Sequence, residues 1–253
     1  MSNAPAATDK RFATLSLPAE QLANLENLGY REMTPIQAAS VPLAMAGTDL
    51  IAQAKTGSGK TAAFSLSLLD KINPRDFGTQ ALILCPTREL ATQVAGEVRR
   101  LARYRQNIKV VVLCGGQSIG PQIGSLEHGA HIVVGTPGRI RDHLRKETLS
   151  LARVSTLVLD EADRMLEMGF VDDIEQIISH TPDSRQTLLF SATYPEDILA
   201  LSARFQRAPH RVSVESVHSD AHIEQRCFIC SKADKQDGLV TLLSHFAPES
   251  AVI

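Results

Sequence analysis

Ala54-Lys55-Thr56-Gly57-Ser58-Gly59-Lys60-Thr61 follows a short apolar run, Asp49 to Gln53, and opens an amphipathic stretch, Thr61 to Ile72, with Phe64, Leu68 and Ile72 on one stripe. Strand, Gly-rich turn and helix, in that order, form the setting of a phosphate-binding loop. Gly57 and Gly59 let backbone N–H groups curl around an anion, and the helix start adds its partial positive charge. Lys60 is placed to reach β- and γ-phosphates, and Thr61 carries a hydroxyl suited to Mg²⁺. The loop departs from the strict pattern at Ala54, where its first glycine is usual. An ordinary turn would use the same glycines; the flanking strand and helix and the Lys-Thr pair weigh against it.

Outward from this loop the same alternation repeats. Apolar, β-branched runs at Ala81–Cys85, Lys109–Cys114, His131–Val134, Thr156–Asp160, Thr187–Phe190 and Arg211–Val214 join Asp49–Gln53 as strands. Most are continuously apolar, as befits strands covered on both faces of a parallel sheet. Helical patterns lie between them, among them Glu89–Leu101 and Val171–Ile178. The pattern predicts an α/β fold, a doubly wound parallel sheet of about seven strands in three α/β/α layers. Sites in such sheets lie beyond the carboxyl ends of the strands.

The chain has 253 residues, 43% hydrophobic and 21% charged, which excludes whole-chain disorder. Lys and Arg number 26 against 28 Asp and Glu, a net charge of −2, so a nucleic-acid partner must be argued from local features. Such features exist: residues 139–146 are locally basic and residues 161–175 acidic, while a solvated helix face accounts for Arg99–Arg105. No apolar run approaches a membrane span, and the first ten residues lack the charged and apolar regions of a secretory signal; a cytoplasmic location is expected. Cys85, Cys114, Cys227 and Cys230 are too few for a disulfide scaffold. Cys227-Phe-Ile-Cys230 has knuckle spacing but no second pair to complete a zinc site, and reads as strand.

A second motif ends the Thr156–Asp160 strand: Leu157-Val-Leu-Asp160-Glu161-Ala162-Asp163. It places acids at the same sheet edge as the phosphate loop. Asp160 is the candidate for Mg²⁺, through water, and Glu161 for orienting and deprotonating the attacking water. Acids also stabilise helix starts for purely structural reasons; beside Lys60 that bland reading loses its force. Lys60, Asp160 and Glu161 are the predicted catalytic set.

With these two motifs the sequence resembles the ATPase core of the DEAD-box RNA helicases, named for Asp160-Glu161-Ala162-Asp163, over roughly Phe12 to Val214 and weakly to the end. It is similar, more closely, to bacterial members that act on large-subunit ribosomal RNA. The resemblance implies a RecA-like domain that binds ATP with Mg²⁺, holds RNA by its backbone and couples hydrolysis to local duplex unwinding. Residue by residue, it implies adenine recognition by Tyr30, Thr34 and Gln37, with Gln37 making a bidentate amide contact and Phe12 stacking on the base. An apolar anchor is the competing role for Phe12. It assigns Thr56, Gly57, Ser58, Gly59, Lys60 and Thr61 to the phosphates. It assigns RNA contacts to Pro86, Thr87 and Arg88, to Gly115 and Gly116, and to Thr136, Pro137, Gly138 and Arg139. It assigns coupling of hydrolysis to strand separation to Asp163, Ser191 and Thr193. Lys55 departs from a glutamine frequent in the family.

The RNA-contact residues also make chemical sense by themselves. Each set follows a predicted strand. Arg88 and Arg139 offer forked guanidinium groups to phosphate, and Gly115, Gly116 and Gly138 permit close backbone approach. Such contacts position a strand without reading bases. Turn chemistry explains any single set; three in order between two nucleotide motifs point to RNA.

The expected organisation is a flexible segment at 1–10, a RecA-like ATP-binding domain at 11–215, a linker at 216–222 and a truncated start of a second RecA-like domain at 223–253. The last part reads as a strand at Arg226–Ser231, a helix at Asp234–Phe246 and the beginning of a strand at Ser250–Ile253. By the resemblance, the second domain supplies arginines that complete the ATP site, so this chain is expected to hydrolyse ATP weakly if at all and not to unwind RNA alone. Its tail, with Cys227, Phe228, Ile229, Leu239 and Phe246, is a candidate for self-association. The competing function is a non-catalytic RNA-binding or ribonucleoprotein assembly scaffold; intact Lys60, Asp160 and Glu161 argue against it. A DNA translocase or a GTPase on the same scaffold is disfavoured by Gln37 and the Asp-Glu-Ala-Asp spelling.

Overall fold

Every apolar run marked as a strand between residues 49 and 214 forms one. In the computed structural model, which describes residues 10–193, 196–214 and 226–251, the elements run α1 (Ala19–Asn27), α2 (Pro35–Met45), β1 (Leu50–Gln53), α3 (Lys60–Lys71), β2 (Ala81–Leu84), α4 (Arg88–Leu101), β3 (Val110–Leu113), α5 (Gly120–Leu126), β4 (Ile132–Gly135), α6 (Pro137–Arg145), β5 (Thr156–Asp160), α7 (Ala162–Glu167), α8 (Val171–Ser179), β6 (Gln186–Ser191), α9 (Glu196–Phe205), β7 (His210–Ser213) and α10 (Lys235–Phe246). The strands make one seven-stranded sheet in the order β3-β4-β2-β5-β6-β1-β7. Every pairing in it is parallel.

The period-2 alternation along each strand divides the core into two layers. Ile83, Val158, Leu188 and Phe190 join the layer that contains Phe64 and Leu68 of α3 and Val94 of α4. Leu82, Leu84, Leu157, Leu159 and Leu189 face the other layer, with Ile140 of α6, Met165 of α7 and Ile174 of α8. Helices therefore cover both faces, which is why the strands read as continuous apolar runs. The sheet has a consequence for the site: with all strands parallel, their carboxyl ends share one edge. The β5, β6 and β1 ends lie side by side, and the β3, β4 and β2 ends form the adjoining half.

The opposite edge is closed by its own polar groups. Asp49, buried, accepts from the backbone N–H of Thr187 (2.8 Å) and of Arg207 (2.7 Å). Gln206 donates to the carbonyls of Leu50 and Thr187, both at 2.8 Å. Gln186 donates to Ala44 and Thr48, and Lys71 donates to Ala44 and to the Gln186 side chain. These bonds tie β1, β6 and β7 together where their side chains leave the core.

The chain divides into two compact units, residues 1–216 and 217–253. The boundaries expected at 215/216 and 222/223 fall within residues 215–225, outside the described residues, as does the segment 1–9. The second unit contains α10, as the sequence suggests, but residues 226–231 form no strand and are exposed. A strand is held by a neighbour's N–H and C=O groups, and the sheet formed by the described residues does not include this segment. Phe228 instead sits against Phe246, and Arg226 lies over the same ring. Ser250 is in a bend, and the remainder of the last expected strand, residues 252–253, lies outside the described residues.

Candidate functional site

The phosphate loop joins β1 to α3. Gly57 and Gly59 have φ of +81° and +95°, a region costly for any residue with a Cβ. Gly59 is doubly required: a Cβ there would lie 2.5 Å from Nε2 of Gln37. Ala54, in contrast, has no positive φ and packs into the core, so the missing glycine is tolerated. Its N–H donates to the carbonyl of Ser191 on β6, tying the start of the loop to the sheet.

Across β6, the β5 end brings Asp160 and Glu161 to this loop. Thr56 donates its hydroxyl to Glu161 at 3.3 Å, joining residues 105 apart in sequence. A cleft of about 330 Å³ is lined by Tyr30, Thr56, Gly57, Gly59, Lys60, Thr61, Asp160 and Glu161, with Leu90, Gln93 and Glu97 of α4 on its far wall. Among the described residues, Nζ of Lys60, Oδ1 of Asp160 and Oγ of Ser58 are buried with no hydrogen-bond partner. Leaving such groups unpaired is costly. Burial pushes the Asp160 carboxyl up to about 6, against the pull of the nearby Lys60 ammonium and with a smaller push from Glu161. A cation on Asp160 and Thr61 and an anion on Lys60 would relieve the two charged groups, so the residues fit a Mg²⁺–nucleotide. Glu161 itself sits at φ +53°, ψ +53° as the residue before α7. A non-glycine residue held there is strained, a feature that clusters at functional sites.

Asp163 is fully engaged. Its Oδ2 accepts from the N–H groups of Ala192 (3.1 Å) and Thr193 (3.0 Å) and from the Thr193 hydroxyl (3.0 Å). Burial raises its carboxyl, but hydrogen bonds from Ser191 and Thr193 outweigh that and hold it below the ordinary aspartate value. Asp163, Ser191 and Thr193 thus form one unit joining the start of α7 to the end of β6.

Of the predicted adenine residues, Tyr30 lines this cleft, and Thr34 and Gln37 sit behind the loop. Thr34 and Gln37 form a capping box at the start of α2: Gln37 N–H donates to the Thr34 hydroxyl, and Thr34 N–H to Oε1 of Gln37. Nε2 of Gln37 donates to the Gly59 carbonyl at 3.1 Å. Gln37 is only 1% exposed; each end of its carboxamide holds one bond, which leaves one N–H and one oxygen lone pair for a further partner. Phe12 is 4% exposed and meets Tyr30 edge to face at 6.0 Å. It anchors the chain start and offers no open face for stacking in this conformation. Tyr30 donates its hydroxyl to Glu97, a partner invisible to sequence spacing because it lies on α4.

On the adjoining half of the edge, the RNA-contact candidates follow β2, β3 and β4. Pro86 is buried at the β2 end. Thr87 caps α4 by accepting from Leu90 N–H, leaving its hydroxyl proton free to donate. Arg88 lies exposed against Gly116, whose φ is +74° and where a Cβ would meet Nη1 at 2.5 Å. Gly115 precedes it. Thr136 and Pro137 open α6, followed by Gly138. Arg139 donates through Nη2 to the Gln117 carbonyl at 2.8 Å, while its Nε and Nη1 are buried with no hydrogen-bond partner among the described residues. Gln117 was not foreseeable, since it acts through its main chain.

Residues 34–201 match the DEAD/DEAH box helicase family. The chain belongs to that family. This DEAD-box chain is 56% identical over 243 residues to the ATP-dependent RNA helicase DbpA of Escherichia coli strain K12, covering 96% of this chain and 53% of that protein. It is 45% identical to the ATP-dependent RNA helicase CshA of Listeria monocytogenes, covering 96% and 47%. The crystal structure of a DEAD box protein from the hyperthermophile Methanococcus jannaschii superimposes with a TM-score of 0.79 at 40% identity, covering 92% of this chain and 63% of that one. The DEAD-box chain thus spans about half the length of the curated relatives it matches. Among the described residues, no helix is long and apolar enough to cross a membrane.

Proposed function

We propose that this chain is the ATP-binding, RNA-backbone-holding part of an ATP-dependent RNA helicase. The observation that carries the reading is the buried, unpartnered pair of Lys60 ammonium and Asp160 carboxylate beside a strained Glu161. Lys60 binds the β- and γ-phosphates, and the Gly57–Gly59 N–H groups hold the oxygens around them. Asp160 and Thr61 hold Mg²⁺, which when bound neutralises phosphate charge and orients the leaving group. Glu161 orients a water and takes its proton. Asp163, pinned on Thr193 and Ala192, passes any shift of the acids to the β6 end, which we assign to coupling. Arg88, Arg139, Gly115 and Gly116 take successive phosphates of an RNA strand. Action on large-subunit ribosomal RNA is part of this proposal and rests on the sequence resemblance.

We further propose that a second RecA-like domain supplies the arginines that complete the site. Arginine fingers contribute about 10³–10⁵ in rate in P-loop enzymes. An ATPase titration with RNA tests the whole reading, comparing the 253-residue chain, the complete reading frame and its Glu161→Gln variant. RNA-stimulated hydrolysis is expected only in the complete protein and is abolished by Glu161→Gln. A robust RNA-stimulated rate from the short chain contradicts the requirement for a second domain. No stimulation in the complete protein favours the scaffold. We also assign self-association to the exposed Phe228, Ile229, Val240 and Phe246; light scattering showing a monomer at all concentrations would refute it.

A further inference from the structure

The Gly115-Gly116 pair has no side chains with which to hold its own path, yet the RNA reading above needs that path to be fixed. Its two ends are pinned by side chains from elsewhere. At the far end, Arg139 donates to the Gln117 carbonyl. At the near end, Nε2 of Gln122, on the first turn of α5, donates to the Cys114 carbonyl at 3.0 Å. Gln122 is 9% exposed, and among the described residues its Oε1 has no hydrogen-bond partner. A polar side chain is buried at that cost for the sake of one bond, and the bond fixes which way the amide points, because the carbonyl can only accept. Gln122 also borders a cleft of about 390 Å³ shared with Arg88, Cys114 and Gln117.

We propose that Gln122 is a positioning residue for RNA binding: it holds the Cys114 carbonyl and thereby sets Gly115-Gly116 and the adjacent Arg88 in register with the phosphates. This rests on the RNA reading above. Gln122 lines no part of the nucleotide cleft, so its removal separates the two ligands. Losing the donor releases the near end of the loop while Arg139 still holds the far end at Gln117, and RNA affinity falls by about fivefold, the worth of one hydrogen bond. If one phosphate contact is lost with it, the slope of log K against log salt falls by about 0.7 for a single strand.

The test uses the unmodified chain and Gln122→Met, titrated with an unstructured oligouridylate at several salt concentrations, and separately with a fluorescent Mg²⁺–ADP analogue. The expected result is weaker RNA binding with a shallower salt slope in Gln122→Met, and nucleotide affinity and melting temperature close to those of the unmodified chain. RNA binding unchanged in both affinity and slope overturns the inference, as does a parallel loss of nucleotide binding. RNA binding absent from the unmodified chain overturns the underlying RNA reading together with this inference. Should Gln122→Met not fold, the side-chain amide resonance of Gln122 in the unmodified chain decides: a shift on adding RNA but not on adding nucleotide supports the role, and no shift at RNA saturation overturns it.

Discussion

Helix α3 begins with a buried lysine and ends with a half-buried one, and the two are treated in opposite ways. Lys71, at its C-terminal end, donates to the Ala44 carbonyl and to Gln186. Lys60, at its start, has no partner for its ammonium among the described residues. The same contrast separates two buried aspartates. Both oxygens of Asp49 accept backbone N–H groups, whereas Oδ1 of Asp160 accepts nothing among the described residues. Fold and composition are common to the two sheet edges; what differs is whether the protein completes its own hydrogen bonds. One edge is finished for stability, and the other is left open for a charged ligand.

Substitutions at the closed edge are expected to break the fold, and those at the open edge to improve it. Asp49→Ala should cost the most, about 4 kcal/mol, because it strands the buried Thr187 N–H and the half-buried Arg207 N–H; a loss under about 1 kcal/mol in urea denaturation would show that the closed edge is dispensable. Asp160→Asn should act in the opposite direction and depend on pH. Its carboxyl is held at about 6 in the folded chain against the ordinary 3.8, so the folded form binds a proton more tightly than the unfolded one. Its contribution to stability is therefore full below about pH 4 and is lost as the pH rises through about 6. At pH 7 and without Mg²⁺, Asp160→Asn should be more stable than the unmodified chain by up to about 3 kcal/mol, with the gap closing at pH 4. Equal stabilities at both pH values would refute the burial cost. Asp163 has the reverse sign, since its carboxyl lies below the ordinary value; its contribution is present above that value and is lost on acidification.

Smaller effects sharpen the contrast. Lys71→Met should cost about 1–2 kcal/mol and leave nucleotide affinity unchanged; a loss of affinity would mean that the two ends of α3 are not independent. Glu161→Gly should raise the melting midpoint slightly, by relief of about 1 kcal/mol of left-handed strain partly offset by glycine's freedom when unfolded. A lowered midpoint would mean that Glu161 is not strained by its position.

The open edge was the more legible of the two in the sequence, because its residues sit in short motifs next to strands that announce themselves as continuous apolar runs. The phosphate loop, the acids after β5 and the arginines after β2 and β4 fall where the strand pattern puts them. The closed edge is built from single residues such as Asp49, Gln186 and Gln206, whose partners are main-chain groups over 130 residues away for several of these bonds, and no spacing rule finds them. Thr-x-x-Gln before an apolar helix is also a capping signature, and Thr34 and Gln37 form that box in the structure; capping and adenine contact are not exclusive, because each end of the amide can make a second bond. For Phe12 the sequence leaves stacking and an apolar anchor both open, and its burial against Tyr30 matches the anchor. The strand expected at 226–231 failed because pairing is supplied by a neighbour, and its own residues do not specify one.

The central claim is that Lys60 is left unpaired in order to meet a nucleotide phosphate. Titration of the 253-residue chain and its Lys60→Ala variant with fluorescent Mg²⁺–ADP, followed by melting of both, tests it directly. The account predicts binding in the unmodified chain that is weakened at least about 100-fold in the variant, the worth of charge-assisted contacts totalling about 3 kcal/mol, with a melting temperature equal or higher. Equal affinity in the two proteins, or a variant that loses binding only because it unfolds, would contradict it.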